Sequence, residues 1–149
     1  AKSTPIFSKV ETKNVRYVLE DNFLMFWFRF IYKYGYMLEV GNYDGLKTII
    51  DRDYKTFSGK MLEKYFRTKF IQSGNITNIG GYWDRKGDNE IDLIVVNEFD
   101  RQAQIIEVKR KAENIDLDVI RDKGVQFLRA TGELKDYKIT YSGLSMEDM

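Results

Sequence analysis

The sequence predicts an α/β domain, because it combines two adjacent strand patterns with two amphipathic helix patterns. Residues 90–97 and 104–109 are rich in β-branched residues, and the mainly polar connection at 98–101 predicts a hairpin. Residues 60–72 and 117–131 repeat their apolar side chains with the period of a helix. Strands and helices of this kind in one chain define the α/β class.

Length and composition are those of a folded domain. The chain has 149 residues, and its 43% apolar and 32% charged content suits a packed core with a charged surface. We expect a core at 58–143, an N-terminal helical or linker segment at 1–57 that packs on it, and a tail at 144–149. No apolar run reaches the ~20 residues that span a bilayer, and the start lacks a signal-peptide pattern, so the expected location is cytoplasmic. The first residue is alanine, and we expect a piece cut from a longer protein.

The chain contains no cysteine and no histidine. This excludes disulfides, thiolate or imidazole metal sites, serine–histidine triads and cysteine proteases. Catalysis would have to use carboxylates, lysine, arginine, tyrosine and a hard metal ion. The net charge of +1 neither requires nor excludes a nucleic-acid partner, and no Walker motif predicts ATP binding.

The segment at 21–34, DNFLMFWFRFIYKY, is a dense aromatic run. Asp21 or Asn22 is the expected N-cap of a helix there. Because the helix is apolar nearly all round, we expect it to be buried, either against the rest of this chain or against a domain absent from it.

The helix at 60–72 carries the first candidate site residue. Ser58 and Gly59 are expected to open it, after a separate short helix at 45–51. At ~100° per residue, Glu63 falls at the edge of the apolar face, where a carboxylate faces a groove beside the core. Further along, a final strand is expected at 137–141, with a tail from Gly143 onward.

The predicted hairpin places charged side chains among apolar ones. Because side chains alternate along a strand, Glu90 and Asp92 are expected on the same face as Ile94, with Ile91 on the opposite face. Both faces also carry apolar residues, so we expect helices to cover both sides and to leave the charges half-buried.

The register of the hairpin brings these charges together. A turn centred on residues 99–100 sets Asp92 opposite Glu107 and Glu90 opposite Lys109. Two opposed carboxylates at ~4 Å repel by roughly 4 kcal/mol at an effective dielectric of ~20, which one lysine offsets only in part. A divalent cation would relieve this repulsion.

This donor set suits Mg²⁺ or Mn²⁺, which prefer carboxylates, carbonyls and water. Asp92, Glu107 and the backbone carbonyl of Val108 are the expected ligands. Lys109 would orient or deprotonate the attacking water, or stabilise charge on the phosphate. The reaction implied is phosphodiester hydrolysis.

Plain structural alternatives exist for each residue. A single Glu-x-Lys is a weak signal, since charged residues at strand ends are common. Glu63 could instead form a surface i,i+4 pair with Arg67, and for Glu90 a surface role is favoured over a site role.

The combination of residues resembles a known superfamily. A helix glutamate followed by GDNEIDLI and IIEVK is similar to PD-(D/E)XK nucleases, which include restriction enzymes and Holliday-junction resolvases. More narrowly, the aromatic run with GGYWDRKGDNEIDLIVVNE and EVK resembles the C-terminal domain of unknown function in archaeal-type AAA+ ATPases. This likeness covers about residues 21–109.

The resemblance implies a restriction-endonuclease-like fold, in which helices flank a central mixed sheet. It matches the superfamily's catalytic positions to Glu63, Asp92, Glu107 and Lys109 in turn. The sequence departs from the motif before the aspartate, where Glu-Ile replaces proline. The resemblance also implies an ATPase and a winged-helix segment upstream in the full protein.

DNA contacts would require cations near this site. Six are placed in the flanking segments: Arg85, Lys86, Arg110, Lys111, Arg121 and Lys123. Tyr82 and Trp83 are candidates for stacking on bases. The alternatives are solvated surface charges and capping aromatic residues.

Three functions share this fold. The first is a Mg²⁺- or Mn²⁺-dependent deoxyribonuclease coupled to an ATPase. The second is an inactive nuclease-fold module that binds DNA or regulates the ATPase. The third is an interaction domain that uses the aromatic segment as its contact surface.

Overall fold

A four-stranded mixed sheet forms the centre of the computed structural model, which describes residues 1–9 and 12–149. In chain order the elements are β1 (Lys2–Ser3), β2 (Arg16–Tyr17), α1 (Asn22–Phe26), a π-helix (Trp27–Tyr32), α2 (Gly35–Glu39), α3 (Tyr43–Ser73), β3 (Asn78–Trp83), β4 (Glu90–Asn97), β5 (Gln102–Val108), a 3₁₀ turn (Ala112–Asn114), α4 (Leu117–Ala130), β6 (Lys138–Leu144) and a 3₁₀ turn (Met146–Asp148). The predicted α/β class, with a mixed sheet flanked by helices, is confirmed.

The sheet order is β3-β4-β5-β6, antiparallel except for the parallel pair β5-β6. The predicted hairpin is present, with Asn97 opposite Gln102, so its turn is centred on residues 99–100 as expected. Asn97 holds this turn, because its side chain donates to Asp100 and accepts from the Asp100 backbone N–H. Helix α4 forms the crossover from β5 to the parallel strand β6.

Both faces of the sheet are covered, as the apolar patterns predicted. Leu62 and Phe66 of α3 pack on one face with Leu93, and Ile120 and Phe127 of α4 pack on the other. Of the charged residues at the end of the hairpin, Glu107 is therefore buried, whereas Glu90 and Lys109 keep 51% and 40% of their side chains exposed.

The predicted alternation along β4 is wrong at its first residues. Gly80 pairs with Ile94 and Tyr82 with Ile91, so β4 has one more residue than β3 in this interval, which is a β-bulge. As a result Ile91 joins the core beneath α4 together with Ile94, rather than facing away from it. Glu90 is thereby separated from the face of Ile94. A bulge cannot be read from residue alternation alone.

Helix α3 is one continuous helix of 31 residues, which corrects the prediction of a short helix at 45–51 and a second helix opened by Ser58 and Gly59. The helix begins where the Asn42 side chain accepts from the Gly45 backbone N–H, and it ends at Gly74 with φ of 75°. A helix-interior glycine costs only ~1 kcal/mol, which the packing of the flanking turns outweighs. The helix thus runs through the expected boundary between residues 57 and 58.

The aromatic segment begins as predicted, with Asp21 as the N-cap that accepts from the Leu24 backbone N–H. Its expected burial against the rest of the chain is wrong for most of its side chains. Phe30 is fully buried, but Phe23 is 68% exposed and Tyr32 71%. Phe26 and Phe30 pack on Phe57 of α3. Among the described residues no second layer covers the exposed rings, which are Phe23, Trp27, Phe28 and Tyr32.

The C-terminal part contains more structure than predicted. Helix α4 begins at Leu117 and is capped by the side chain of Asp116, and Gly132 follows it with φ of 71°. Strand β6 extends to Leu144, past the predicted end at residue 141, and Ser145 is fully buried. In the part of the chain that the structure describes, no helix is long and apolar enough to cross a bilayer.

Candidate active site

The carboxylate of Asp92 ends the hydrogen-bonded ladder between β4 and β5. The last pair of the register is Leu93 with Ile106. Along β5 the next backbone N–H that points towards β4 belongs to Val108. At the bulge this N–H donates to Asp92 Oδ2 at 2.8 Å instead of to a backbone carbonyl. Because the N–H and C=O of one strand residue point to the same side, the Val108 carbonyl also faces the Asp92 side of the strand.

Glu107 is the most buried carboxylate of the group, with a side chain 9% exposed. Two ammonium groups contact the same oxygen, Oε1: Lys123 Nζ at 2.8 Å and Lys109 Nζ at 3.1 Å. Burial acts to raise the pKa of Glu107, but hydrogen bonds from Lys123 and Lys109 outweigh it and hold the pKa below its ordinary value. Glu107 is therefore an ionised carboxylate.

Glu63 reaches the same region from α3. Burial raises its pKa to about 7, and the charges of Asp92 and Glu90 add to the effect. No ion pair joins Glu63 to Arg67, although both lie in the described part of the chain, so the surface-pair alternative is wrong. A carboxyl with a pKa near 7 can gain or lose a proton close to neutral pH.

Asp92 is electrostatically linked to its neighbours. Burial raises its pKa; the Val108 N–H opposes the rise, and the charge of Glu107 adds to it. The four residues matched by the motif are therefore linked by charge: Asp92 with Glu107 and Lys109, and Glu63 with Asp92 and Lys109. We call this group together with Lys123 the acidic–lysine cluster.

The cluster contains hard oxygen donors, but they do not form a site in which three or more carboxylates surround one metal ion. Across residues 1–9 and 12–149, no three Asp or Glu side chains are arranged to hold a metal ion. Mg²⁺ requires only one or two protein carboxylates, with water and phosphate oxygens completing its shell. The donors that fit are Asp92, Glu107 and the Val108 carbonyl.

Glu90 forms a surface ion pair, as the surface alternative predicted, although its charge still acts on Glu63. It pairs with Arg16 at 2.5 Å, and the Arg16 guanidinium also lies 4.3 Å from the centre of the Trp83 ring. Trp83 is buried and its indole N–H donates to Asn14, so the expected stacking of Trp83 on bases is not compatible with this packing. Tyr82 packs its ring against Phe127.

The six predicted DNA-contacting cations occupy different surroundings. Arg85 and Lys86 are exposed in the loop between β3 and β4. Lys111 pairs with Glu113 at 3.2 Å, and Arg121 lies 3.9 Å from Asp118. Arg110 is half-buried, and its Nε lacks a hydrogen-bond partner among the described residues.

Lys123 has a contact that the sequence analysis missed, the ion pair with Glu107. A signal for it was present in the sequence. Lys123 lies three residues after Ile120 and four before Phe127, a spacing that places it on the buried stripe of α4. A lysine on such a stripe requires a partner of opposite charge.

The fold and cluster define a mixed-sheet α/β domain that carries a half-buried carboxylate–lysine site. The chain belongs to the DUF234 family, described as archaeal and bacterial proteins of unknown function, which matches residues 27–122. It is 34% identical over 117 residues to an uncharacterized protein of Methanocaldococcus jannaschii. That match covers 74% of this chain and 26% of the relative, so the chain corresponds to about a quarter of the relative's length. No solved structure matches the chain significantly.

Proposed function

We propose that this domain is a PD-(D/E)XK-like nuclease that hydrolyses DNA phosphodiester bonds with Mg²⁺ or Mn²⁺. The observation that carries the proposal is the position of Asp92. Its carboxylate stands at a bulge beside the Val108 peptide, next to an ionised Glu107 that is followed two residues later by Lys109. This is the arrangement of residue types that the motif requires, on adjacent strands.

The donor set supports a hard divalent cation. Both lysines contact Oε1 of Glu107 most closely, and within the described part of the chain no side-chain hydrogen bond engages its Oε2. That oxygen, a carboxylate oxygen of Asp92 and the Val108 carbonyl would hold the ion. Bound there, Mg²⁺ or Mn²⁺ would acidify a water molecule and polarise the phosphodiester.

The remaining roles belong to Lys109 and Glu63. The Lys109 ammonium, anchored at Glu107, would donate hydrogen bonds to the attacking water or to the phosphate oxygen on which charge develops. The Glu63 carboxyl, with its pKa of about 7, would accept a proton near neutral pH.

DNA would reach the cluster across its cationic surroundings. We assign the phosphate contacts to six cations, of which the first four are exposed and the last two half-buried: Arg85, Lys86, Lys111, Arg121, Arg110 and Lys123. Contacts of this kind position the phosphate backbone without reading base sequence.

We further propose that the domain works beside ATPase and winged-helix domains in a longer protein. The support is the resemblance to the C-terminal domain of AAA+ ATPases, together with the greater length of the matched relative.

The test is DNA cleavage by the purified chain. Supercoiled, linear, single-stranded and branched DNA are incubated with Mg²⁺, Mn²⁺ or EDTA. Asp92→Asn, Glu107→Gln and Lys109→Met should each lose roughly 10²-fold or more of metal-dependent activity. Glu98→Gln, at the opposite end of the same hairpin, should retain it. Equal cleavage by all variants, or no metal-dependent cleavage by the wild type, would reject the proposal.

A second candidate is an inactive nuclease-fold module for protein interaction. The observation that favours it is the exposed aromatic segment, in which Phe23, Trp27, Phe28 and Tyr32 are all more than 40% exposed. On this alternative, substitution of these rings would abolish partner binding, and substitution of Asp92 would not.

A further inference from the structure

Lys123 is the one member of the acidic–lysine cluster that the motif does not include. We propose that Lys123 is a positioning residue that serves as the resident counter-ion of Glu107, holding the carboxylate when no divalent cation is bound and competing with that cation for the site. The inference rests on the proposed metal site and names how that site is regulated.

The first support is the fixed position of Lys123. Its backbone carbonyl accepts from the buried side chain of Asn89 at 3.1 Å. The next residue, Gly124, lies so close to the sheet that an added Cβ would be 2.4 Å from the Tyr141 ring. The hydrogen bond and this close approach fix the backbone of α4 at Lys123 relative to the sheet and to the residue before β4.

The second support is the environment of its ammonium group. The Lys123 side chain is 32% exposed, and Glu107 is its ion-pair partner among the described residues. A lysine with only a surface role would have a fully solvated side chain. The Lys123 side chain instead lies along the buried stripe of α4 and contacts Glu107. Truncation of one partner in a buried pair leaves the other charge uncompensated.

The third support is the balance of charge. Glu63, Asp92 and Glu107 carry three negative charges when all are ionised, and Lys109 and Lys123 carry two positive charges. The cluster with both lysines is therefore close to neutral before a metal ion enters. Without Lys123 the net charge of the cluster would be −2, which one divalent cation would neutralise.

Lys123 on Oε1 and a divalent cation on Oε2 thus compete electrostatically for the charge of Glu107. A cation that binds Glu107 repels the ammonium 2.8 Å from Oε1. The side chain then becomes free to donate to another anion, and a phosphate of the substrate has the required charge.

The experiment compares Mn²⁺ binding by the wild type with binding by Lys123→Met, Lys123→Arg and Lys135→Met. Isothermal titration calorimetry gives the affinity, and thermal melting in EDTA and in Mn²⁺ gives the stability. Lys123→Met should bind Mn²⁺ about tenfold or more tightly than the wild type. In EDTA this variant should melt at a lower temperature than the wild type, and Mn²⁺ should raise its melting temperature by more than it raises that of the wild type. Lys123→Arg, which keeps the charge, and Lys135→Met, which removes an exposed lysine at the far end of β6, should match the wild type.

Two failures are distinguishable. If the wild type binds Mn²⁺ and Lys123→Met binds it equally or more weakly, Lys123 is not a competitor and the inference is overturned while the metal site stands. If neither protein binds Mn²⁺ at millimolar concentration, the metal site and the inference both fail. If Lys123→Met does not fold, Lys123→Gln replaces it, because an amide can still donate to Glu107 without the charge.

Discussion

Asp92 accepts a hydrogen bond from the backbone N–H of Val108 at 2.8 Å, and this side-chain contact replaces the next backbone bond of the β4–β5 ladder. The same carboxylate is the first candidate metal ligand. Its structural and chemical roles can be separated, because asparagine retains an acceptor and alanine does not.

Asp92→Ala should lower the free energy of unfolding by about 1–3 kcal/mol, since it leaves the Val108 N–H without an acceptor. Asp92→Asn should be as stable as the wild type or more stable, because it removes a charge that burial and Glu107 disfavour. Urea denaturation in EDTA measures both. Equal losses in the two variants would show that the hydrogen bond to Val108 does not determine stability here.

The raised pKa of Glu63 should make stability fall as pH rises. Its folded-state pKa of about 7 exceeds its ordinary value of 4.5, so between these values the folded state holds a proton that the unfolded state has released. Glu63→Gln should flatten the pH dependence of stability. At about pH 8 its free energy of unfolding should exceed that of the wild type by ~1–3 kcal/mol. Denaturation curves from about pH 5 to about pH 8 check this. A Glu63→Gln variant with the wild-type slope would contradict the assignment.

Two helix glycines should respond in opposite ways to alanine. At Gly59, inside α3, an added Cβ meets no atom within 4 Å, so Gly59→Ala should stabilise by ~0.5–1 kcal/mol. At Gly124 the Cβ would press on Tyr141 and Ile105, so Gly124→Ala should destabilise by ~1–3 kcal/mol. Thermal melting of the two variants provides the comparison. A destabilised Gly59→Ala would argue against a continuous α3.

The aromatic segment should tolerate change on its exposed side. Phe23→Ser should alter the free energy of unfolding by less than about 0.5 kcal/mol, and Phe30→Ala should cost about 3–5 kcal/mol. The difference follows from their exposure, 68% against 0%. If Phe23→Ser destabilised the chain as strongly as Phe30→Ala, Phe23 would have to be covered in solution.

Local patterns predicted the hairpin and its register because both depend on adjacent residues. The turn at 99–100 is short, and the alternation of Ile105 and Glu107 continues without interruption in β5. From that register the convergence of Asp92 with Glu107 could be expected. The burial of both sheet faces followed in the same way from their apolar content.

What could not be predicted depends on contacts distant in sequence. The bulge at Asp92 is defined by the pairing of β3 with β4, and the Lys123–Glu107 ion pair by the docking of α4. The continuous α3 reflects packing that outweighs the low helix propensity of Gly59. The exposure of Phe23 shows that apolar composition requires a covering surface, which the described residues do not supply on that side.

The central claim is that Asp92 and Glu107 hold a divalent metal ion, and anomalous diffraction from crystals of the chain soaked in Mn²⁺ tests it most directly. The account predicts one anomalous peak bounded by the two carboxylates and the Val108 carbonyl, absent from crystals of Asp92→Asn. A Mn²⁺ peak located only elsewhere, or no peak in wild-type crystals, would contradict it.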